Sequence, residues 1–258
     1  MRRVLSGVFT LTLALGGAGG ASAQAVRGGF LDTPLPSGED VYVNSAFGFT
    51  INYFGAPSDM GLVCNNGYVI LGALAPSGPD CAYPGPLSLA SAPDLNNLRT
   101  FYGSLLAPFF TDVNTEFAGG SVYHGTGLVG GRLAWAATWD GVWGWMADPD
   151  LGSSVTFQTV LIDDGGGDFT MEFNYGRLDW GAEGGIGFTD DGGVTGSPVV
   201  ATLATDQPPA NSRLTCRFTG GTPTCTNLVA VPEPSTVVLL GTALAGLAGV
   251  AARRRARG

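Results

Sequence analysis

Apolar and polar residues alternate with a period of two through much of the middle of the chain. The clearest case is 169–175, where Phe169, Met171, Phe173 and Tyr175 alternate with Thr170, Glu172 and Asn174. That is the pattern of a strand with one face on a core and one face outward. The run Val155–Ile162 is more continuously apolar and predicts a strand buried on both faces. Between the two lies Asp163-Asp164-Gly165-Gly166-Gly167-Asp168, a polar, glycine-rich loop suited to a hairpin. Further strands are predicted over Phe47–Phe54, Tyr68–Leu71, Leu106–Phe110, Ser121–Tyr123, Arg132–Trp139 and Gly185–Phe188. Only Leu87–Leu98 hints at a helix between Gln24 and Val231. The expectation is an all-β fold, a single antiparallel β-sandwich domain over 24–230.

The two ends break this pattern. Met1–Ala23 has a basic start (Arg2, Arg3), an apolar run from Val4 to Leu15 and a small-residue stretch ending Ala21-Ser22-Ala23. This is the layout of a secretory signal peptide, 1–23, with the mature chain beginning at Gln24. The other end, 231–258, carries Pro232-Glu233-Pro234, an apolar stretch over 237–252, and then Arg253, Arg254, Arg255 and Arg257. A helix over 237–252 would rise about 24 Å against a hydrocarbon core of ~30 Å, so it spans with flanking help or a thinned bilayer. The arginines would stay on the cytoplasmic side.

Composition agrees with the pattern. Hydrophobic residues make up 45% of the 258 and charged residues 13%, enough apolar material for a sizeable core, while 42 Gly and 16 Pro favour turns over long helices. Between Gln24 and Val231 there are six Arg and twenty acidic residues and no Lys, a net charge of −14. Such a surface repels nucleic acid and anionic lipid, which removes nucleic acid from the partners to consider. The four cysteines of an exported chain read as two disulfides in one of three connectivities. Cys64–Cys81 and Cys216–Cys225 are favoured, because each pair is close in sequence and flanks a turn-rich segment. A four-cysteine zinc site is the rival, weakened by the absence of any C-x-x-C pair.

Pro232-Glu233-Pro234, a short apolar helix and a terminal arginine cluster, in that order, resemble the PEP-CTERM sorting signal of Gram-negative bacteria. The resemblance covers roughly 231–257. It implies that exosortase, a membrane protease-transpeptidase, recognises Pro232, Glu233 and Pro234 and removes the helix. It also implies an inner-membrane-anchored precursor, a cell-surface or extracellular product, and an association with exopolysaccharide and biofilm-like matrices. The body resembles a second family, the NIDO domain of nidogen and tectorins, over about 105–190. The matching pieces are Ala107-Pro108-Phe109-Phe110-Thr111-Asp112-Val113-Asn114, Thr138-Trp139-Asp140-Gly141-Val142, Thr156-Phe157-Gln158-Thr159-Val160-Leu161, Phe173-Asn174-Tyr175-Gly176 and Trp180. This implies an extracellular module associated with cell–matrix adhesion. The family brings no catalytic residues, so none are assigned.

The residues themselves offer little chemistry. His124 is the only histidine; it stands at what reads as a strand end entering a glycine turn, and no G-x-S-x-G elbow exists to partner it. Asp140, Glu172 and Asp179 lie in or beside strands and could pair as glycosidase carboxylates, although Glu172 reads as an ordinary outward residue. Calcium is the one cation the pattern admits: Asp112-x-Asn114-x-Glu116 puts oxygens on alternate loop positions, and Asp163, Asp164 and Asp168 crowd another loop. No metal ligand set is assigned on that basis, because Asp-Asp-Gly-Gly also makes plain turns. Trp135, Trp139, Trp143 and Trp145 would share one face of an unbroken strand. Trp135 and Trp139 are expected in the core, with Trp143 and Trp145 the candidates for a sugar-stacking surface. The expectation is a non-enzymatic structural or adhesive module whose partner is exopolysaccharide or a matrix protein. A calcium-dependent carbohydrate-binding module and a matrix glycoside hydrolase are the alternatives.

Overall fold

Alternating strands joined by glycine turns pair antiparallel throughout, and they form two sheets whose apolar faces meet. The computed structural model describes residues 25–72, 81, 95–116, 120–144, 154–179, 185–190, 199–204 and 208–231, without side chains at 96–98, 101 and 199–204. Strands are numbered in chain order. The larger sheet runs β1 (Thr33–Pro34), β7 (Ser121–Val129), β8 (Arg132–Gly144), β9 (Val155–Gly165), β10 (Asp168–Leu178), β13 (Ser212–Thr219), β14 (Thr222–Cys225). β6 (Val113–Asn114) pairs with the end of β8, and β15 (Val229–Ala230) pairs with the start of β13. The smaller sheet runs β12 (Val199–Ala204), β11 (Gly185–Asp190), β5 (Leu105–Phe110), β4 (Tyr68–Leu71), β3 (Ala56–Cys64), β2 (Tyr42–Tyr53). The all-β, antiparallel sandwich expected from the sequence is the fold observed.

The main core fills the space between the sheets. From the larger sheet come Trp135, Trp139, Phe157, Leu161, Phe169, Phe173 and Phe218; from the smaller come Phe47, Tyr53, Val63, Val69, Leu106, Phe109 and Phe188. Rings interlock across the gap, with centroids 4.8 Å apart for Phe47–Trp135, 5.5 Å for Phe109–Phe157 and 5.4 Å for Tyr53–Phe218. Two of the buried aromatics place their polar tips on backbone carbonyls. Trp139 Nε1 donates to the Asn65 carbonyl at 2.7 Å, and Tyr175 Oη donates to the Pro108 carbonyl at 2.7 Å.

Each sheet is also covered on its outer face, which is why several strands are apolar on both sides. Leu62, Tyr68, Ile70, Leu105, Ala107 and Phe110 point out of the smaller sheet and bury against Cys81 and Leu95, the first residue of the helix α1 (Leu95–Tyr102). The Cys64–Cys81 disulfide ties that cover to the end of β3. On the larger sheet, Ala134, Ala136, Val160 and Ile162 point outward beneath Phe30. The β3–β4 turn shows how close the backbones come. Gly67 has φ +81°, and a Cβ there would lie 1.9 Å from the Phe109 carbonyl oxygen, so only glycine fits.

Three sequence expectations shift. The helix is Leu95–Tyr102 rather than Leu87–Leu98, and 82–94 lies outside the described residues. His124 sits in the middle of β7, not at a strand end. β8 runs past Asp140 to Gly144, but a register shift between Trp139 and Val142, with Gly141 at φ +62°, changes which side faces the core. A bulge of this kind swaps faces. Trp135, Trp139 and Val142 therefore face inward, fully buried, while Trp143 is half-buried off that stripe. Trp145 and Trp180 lie outside the described residues, as do Met1–Ala23, Pro232-Glu233-Pro234, 237–252 and the terminal arginines. Among the described residues no helix is long and apolar enough to cross a membrane.

Candidate functional site

The strongest concentration of polar chemistry lies on the outer face of the larger sheet, under a strap formed by 25–35. Two anchors hold the strap. Phe30, 1% exposed, inserts among Val129, Ala134, Ala136, Val160 and Ile162, and Gly127 leaves room for it, since a Cβ there would stand 3.0 Å from the ring. Arg27 forms the second anchor. Its Nε and a terminal nitrogen donate to the two oxygens of Glu172 at 2.6 and 2.7 Å, a bidentate fork of the kind that fixes geometry as well as energy.

A network spreads from that fork across four strands. Gln158 pairs with the strap backbone, accepting from Arg27 N–H and donating to the Arg27 carbonyl, each at 3.0 Å. It also donates to Thr138 Oγ1 at 2.8 Å. Asn174 donates to Gln158 at 3.2 Å and accepts from Arg213 Nε at 2.5 Å. Arg213 Nε stands 3.5 Å from Glu172 and a terminal nitrogen donates to the Ala25 carbonyl at 2.8 Å. Burial pushes the Glu172 carboxyl up, but the Arg27 hydrogen bonds and the charges of Arg213 and Arg27 outweigh it, and the net shift is below its ordinary value. Glu172 is thus a fixed anion and not a proton donor near neutrality. The outward, solvated position expected for it from alternation is corrected: it does point away from the main core, yet it is only 5% exposed because the strap lies over it.

The other chemistry-bearing residues are likewise taken up by the architecture. Asp140 is exposed within β8, beside the bulge at Gly141, and Asp179 is paired with Arg177. Glu172 lies two strands from Asp140 and four residues along the register. That separates the two backbones by about 16 Å, well beyond the spacing of glycosidase carboxylates. Asp164 accepts from Arg132 and from Thr170 Oγ1 and has Arg217 Nε at 3.4 Å. Asp163 accepts from Gly165 N–H at 2.9 Å, and Asp168 accepts from Gly220 N–H at 2.8 Å. These carboxylates close hairpin turns. His124 Nδ1 is 2.8 Å from Ser45 Oγ, which also accepts from Trp135 Nε1 at 2.8 Å. Burial lowers the imidazole pKa.

The second candidate calcium motif is split by the fold. Asn114 is buried and its side-chain oxygen accepts from Glu116 N–H at 2.8 Å, an Asx turn. Asp112 stands instead beside Asp40 and Glu39. Burial first, and then those two charges, raise its pKa to about 6. Beneath it Asn66, fully buried, donates to Asp40 at 2.7 Å and accepts from Val113 N–H at 2.8 Å. Among the described residues, no three side chains of metal-ligating type are placed to hold an ion.

Residues 24–227 match the pattern of a family described as NIDO related. The chain belongs to the NIDO-related family. A second match, to the PEP-CTERM protein-sorting motif, covers 230–255. No curated protein and no solved structure matches the chain. The NIDO-related body is therefore an extracellular module, carried by an exported protein that an exosortase sorts.

The NIDO-related match is wider than the 105–190 resemblance: it takes in both sheets, the strap and the second disulfide, Cys216–Cys225, which joins directly opposed residues of β13 and β14. Both disulfides favoured from spacing are formed. The two matches meet around β15, from which the sorting motif leaves the body. Sequence reading passed over Arg27, Gln158 and Arg213 as functional positions. The available signal was compositional, the scarcity of cations in the body: of its six arginines, the structure turns four, Arg27, Arg132, Arg213 and Arg217, to the polar rows of the larger sheet.

Proposed function

We propose that the released NIDO-related body acts at the cell surface or outside the cell as a structural or adhesive module of an extracellular matrix, binding exopolysaccharide or a matrix protein without turning it over. The observation that carries this reading is the union of an extracellular module with an exosortase sorting motif in one chain. The engagement of Glu172, Asp164 and His124 in structural hydrogen bonds supports the non-enzymatic part. Before processing, the segment 237–252 holds the precursor in the inner membrane.

A calcium-dependent carbohydrate-binding module is the second reading. It draws support from Asp112, whose pKa rises to about 6 beside Asp40 and Glu39, since a cation would relieve that repulsion. One experiment separates the readings. The protein released by its producing cells is co-sedimented with their extracellular polymer, with calcium or chelator, while reducing ends are assayed in the same tubes. Retention without sugar release is expected. Loss of retention in chelator would favour the calcium reading, and sugar release would refute the non-enzymatic one.

A further inference from the structure

We propose that Asn211 locks the two ends of the NIDO-related body together, so that docking of the N-terminal strap protects the strand from which the sorting motif leaves. The proposal rests on the sorting reading only for its consequence, not for its geometry.

Asn211 sits at φ 55°, and its N–H donates to the Gly176 carbonyl at 3.1 Å, which fixes it against β10. Its side-chain oxygen accepts from Ala25 N–H at 2.9 Å. Its side-chain nitrogen donates to the Val231 carbonyl at 3.1 Å, and its own carbonyl accepts from Val231 N–H at 2.9 Å. Two residues on, Arg213 grips the Ala25 carbonyl at 2.8 Å while its backbone pairs with Val229. One short stretch of chain therefore holds residues 25 and 231, at the two ends of the compact body.

The two ends differ in what else holds them. The strap has Phe30 and Arg27 as independent anchors. β15 has only two residues, both exposed, and the nearest apolar anchor is the part-buried Leu228 before it, so 229–231 themselves are attached by hydrogen bonds. Strands held in that way open first. With Ala25 N–H on its oxygen, the Asn211 amide is turned so that its nitrogen meets Val231. Undocking the strap releases that rotor and costs β15 a bond. A protease needs its substrate extended and free, so the locked body confines cutting to bonds beyond Val231.

Hydrogen exchange of the full chain in detergent micelles tests this without requiring exosortase. In the double variant Arg27→Ala/Phe30→Ala, which touches neither Asn211 nor β15, exchange should quicken at least tenfold both over 25–31 and over 229–231, with β8 and β9 unchanged. Unchanged exchange over 229–231, or a strap that stays protected without its anchors, would overturn the proposal. Should the double variant unfold β8 and β9, Asn211→Gly decides, since glycine accepts the same φ: exchange must quicken both at Ala25 and over 229–231, and a change at one end alone overturns the lock. In producing cells, intact mass should place the mature C-terminus at or beyond Val231; an end before Val231 would refute the consequence. A chain left uncut would count against the sorting reading, while exchange still decides the lock.

Discussion

Replacing Glu172 by Gln removes one charge from the most buried ionic contact among the described residues and keeps its shape. Glu172 is 5% exposed and takes two charge-assisted bonds from Arg27, with Arg213 close by. The amide leaves one oxygen for Arg27 and points an NH2 at a guanidinium. Breaking a fully buried pair costs about 3–5 kcal/mol, because the surviving charge stays desolvated. Here the arginine side chains are 28% and 22% exposed and can recover some water, which lowers the expected loss to about 2–3 kcal/mol. For a body of this size that is a fall of roughly 5–10 °C in Tm. Urea unfolding of the full chain in micelles, with disulfides intact and the buried Trp135 and Trp139 as fluorescent reporters, measures it. The m value should not change, since the surface exposed on unfolding is the same. A loss under about 0.5 kcal/mol would refute the claim that this fork anchors the strap. Acid gives the sign. A carboxyl whose folded pKa is lowered contributes stability that is present above its unfolded value, near 4.5, and is lost as pH falls through the lower folded value. The gap between wild type and variant should therefore close at low pH.

Two further predictions follow from other parts of the fold. Gly67→Ala combines a left-handed φ with a Cβ driven into the Phe109 carbonyl, so it should cost about 3 kcal/mol or more, or prevent accumulation of folded protein; a thermal midpoint within 2–3 °C of wild type, about 1 kcal/mol, would contradict the close approach. Asp112 has a folded pKa raised to about 6 from 3.8, so its charge opposes folding at neutral pH and the penalty disappears as protons return below about pH 6. Asp112→Asn should raise Tm at pH 7.5 and have no effect near pH 4, and a destabilised variant at pH 7.5 would argue against repulsion from Asp40 and Glu39.

Much of this protein is local and could be read along the chain. Strands such as β10 announce themselves because alternation at period two is a property of neighbouring residues. The disulfide partners Cys64–Cys81 and Cys216–Cys225 lie 17 and 9 residues apart, each within one hairpin-sized segment. The sorting motif is read linearly by another enzyme, so it needs no fold to be visible. Other elements hid for equally physical reasons. β3 reads Ala-Pro-Ser-Asp-Met-Gly-Leu-Val-Cys, with alternation only in its first half, because its far end is buried on both faces. Trp143 left the tryptophan stripe because one bulge at Gly141 reversed the facing of everything beyond it.

What only the tertiary structure decided is the fate of the polar residues. Alternation correctly sends Glu172 away from the main core, but whether that side meets water or protein depends on Arg27, 145 residues earlier. The same holds for Asn211, an unremarked turn residue until Ala25, 186 residues away, reaches its side chain. Short-range pattern encodes which face of a strand is apolar, because burial of that face drives pairing. It does not encode what lies on the other face, because that contact is made between segments with no periodic relation, and is chosen by the few positions where charge, hydrogen-bonding capacity and space agree.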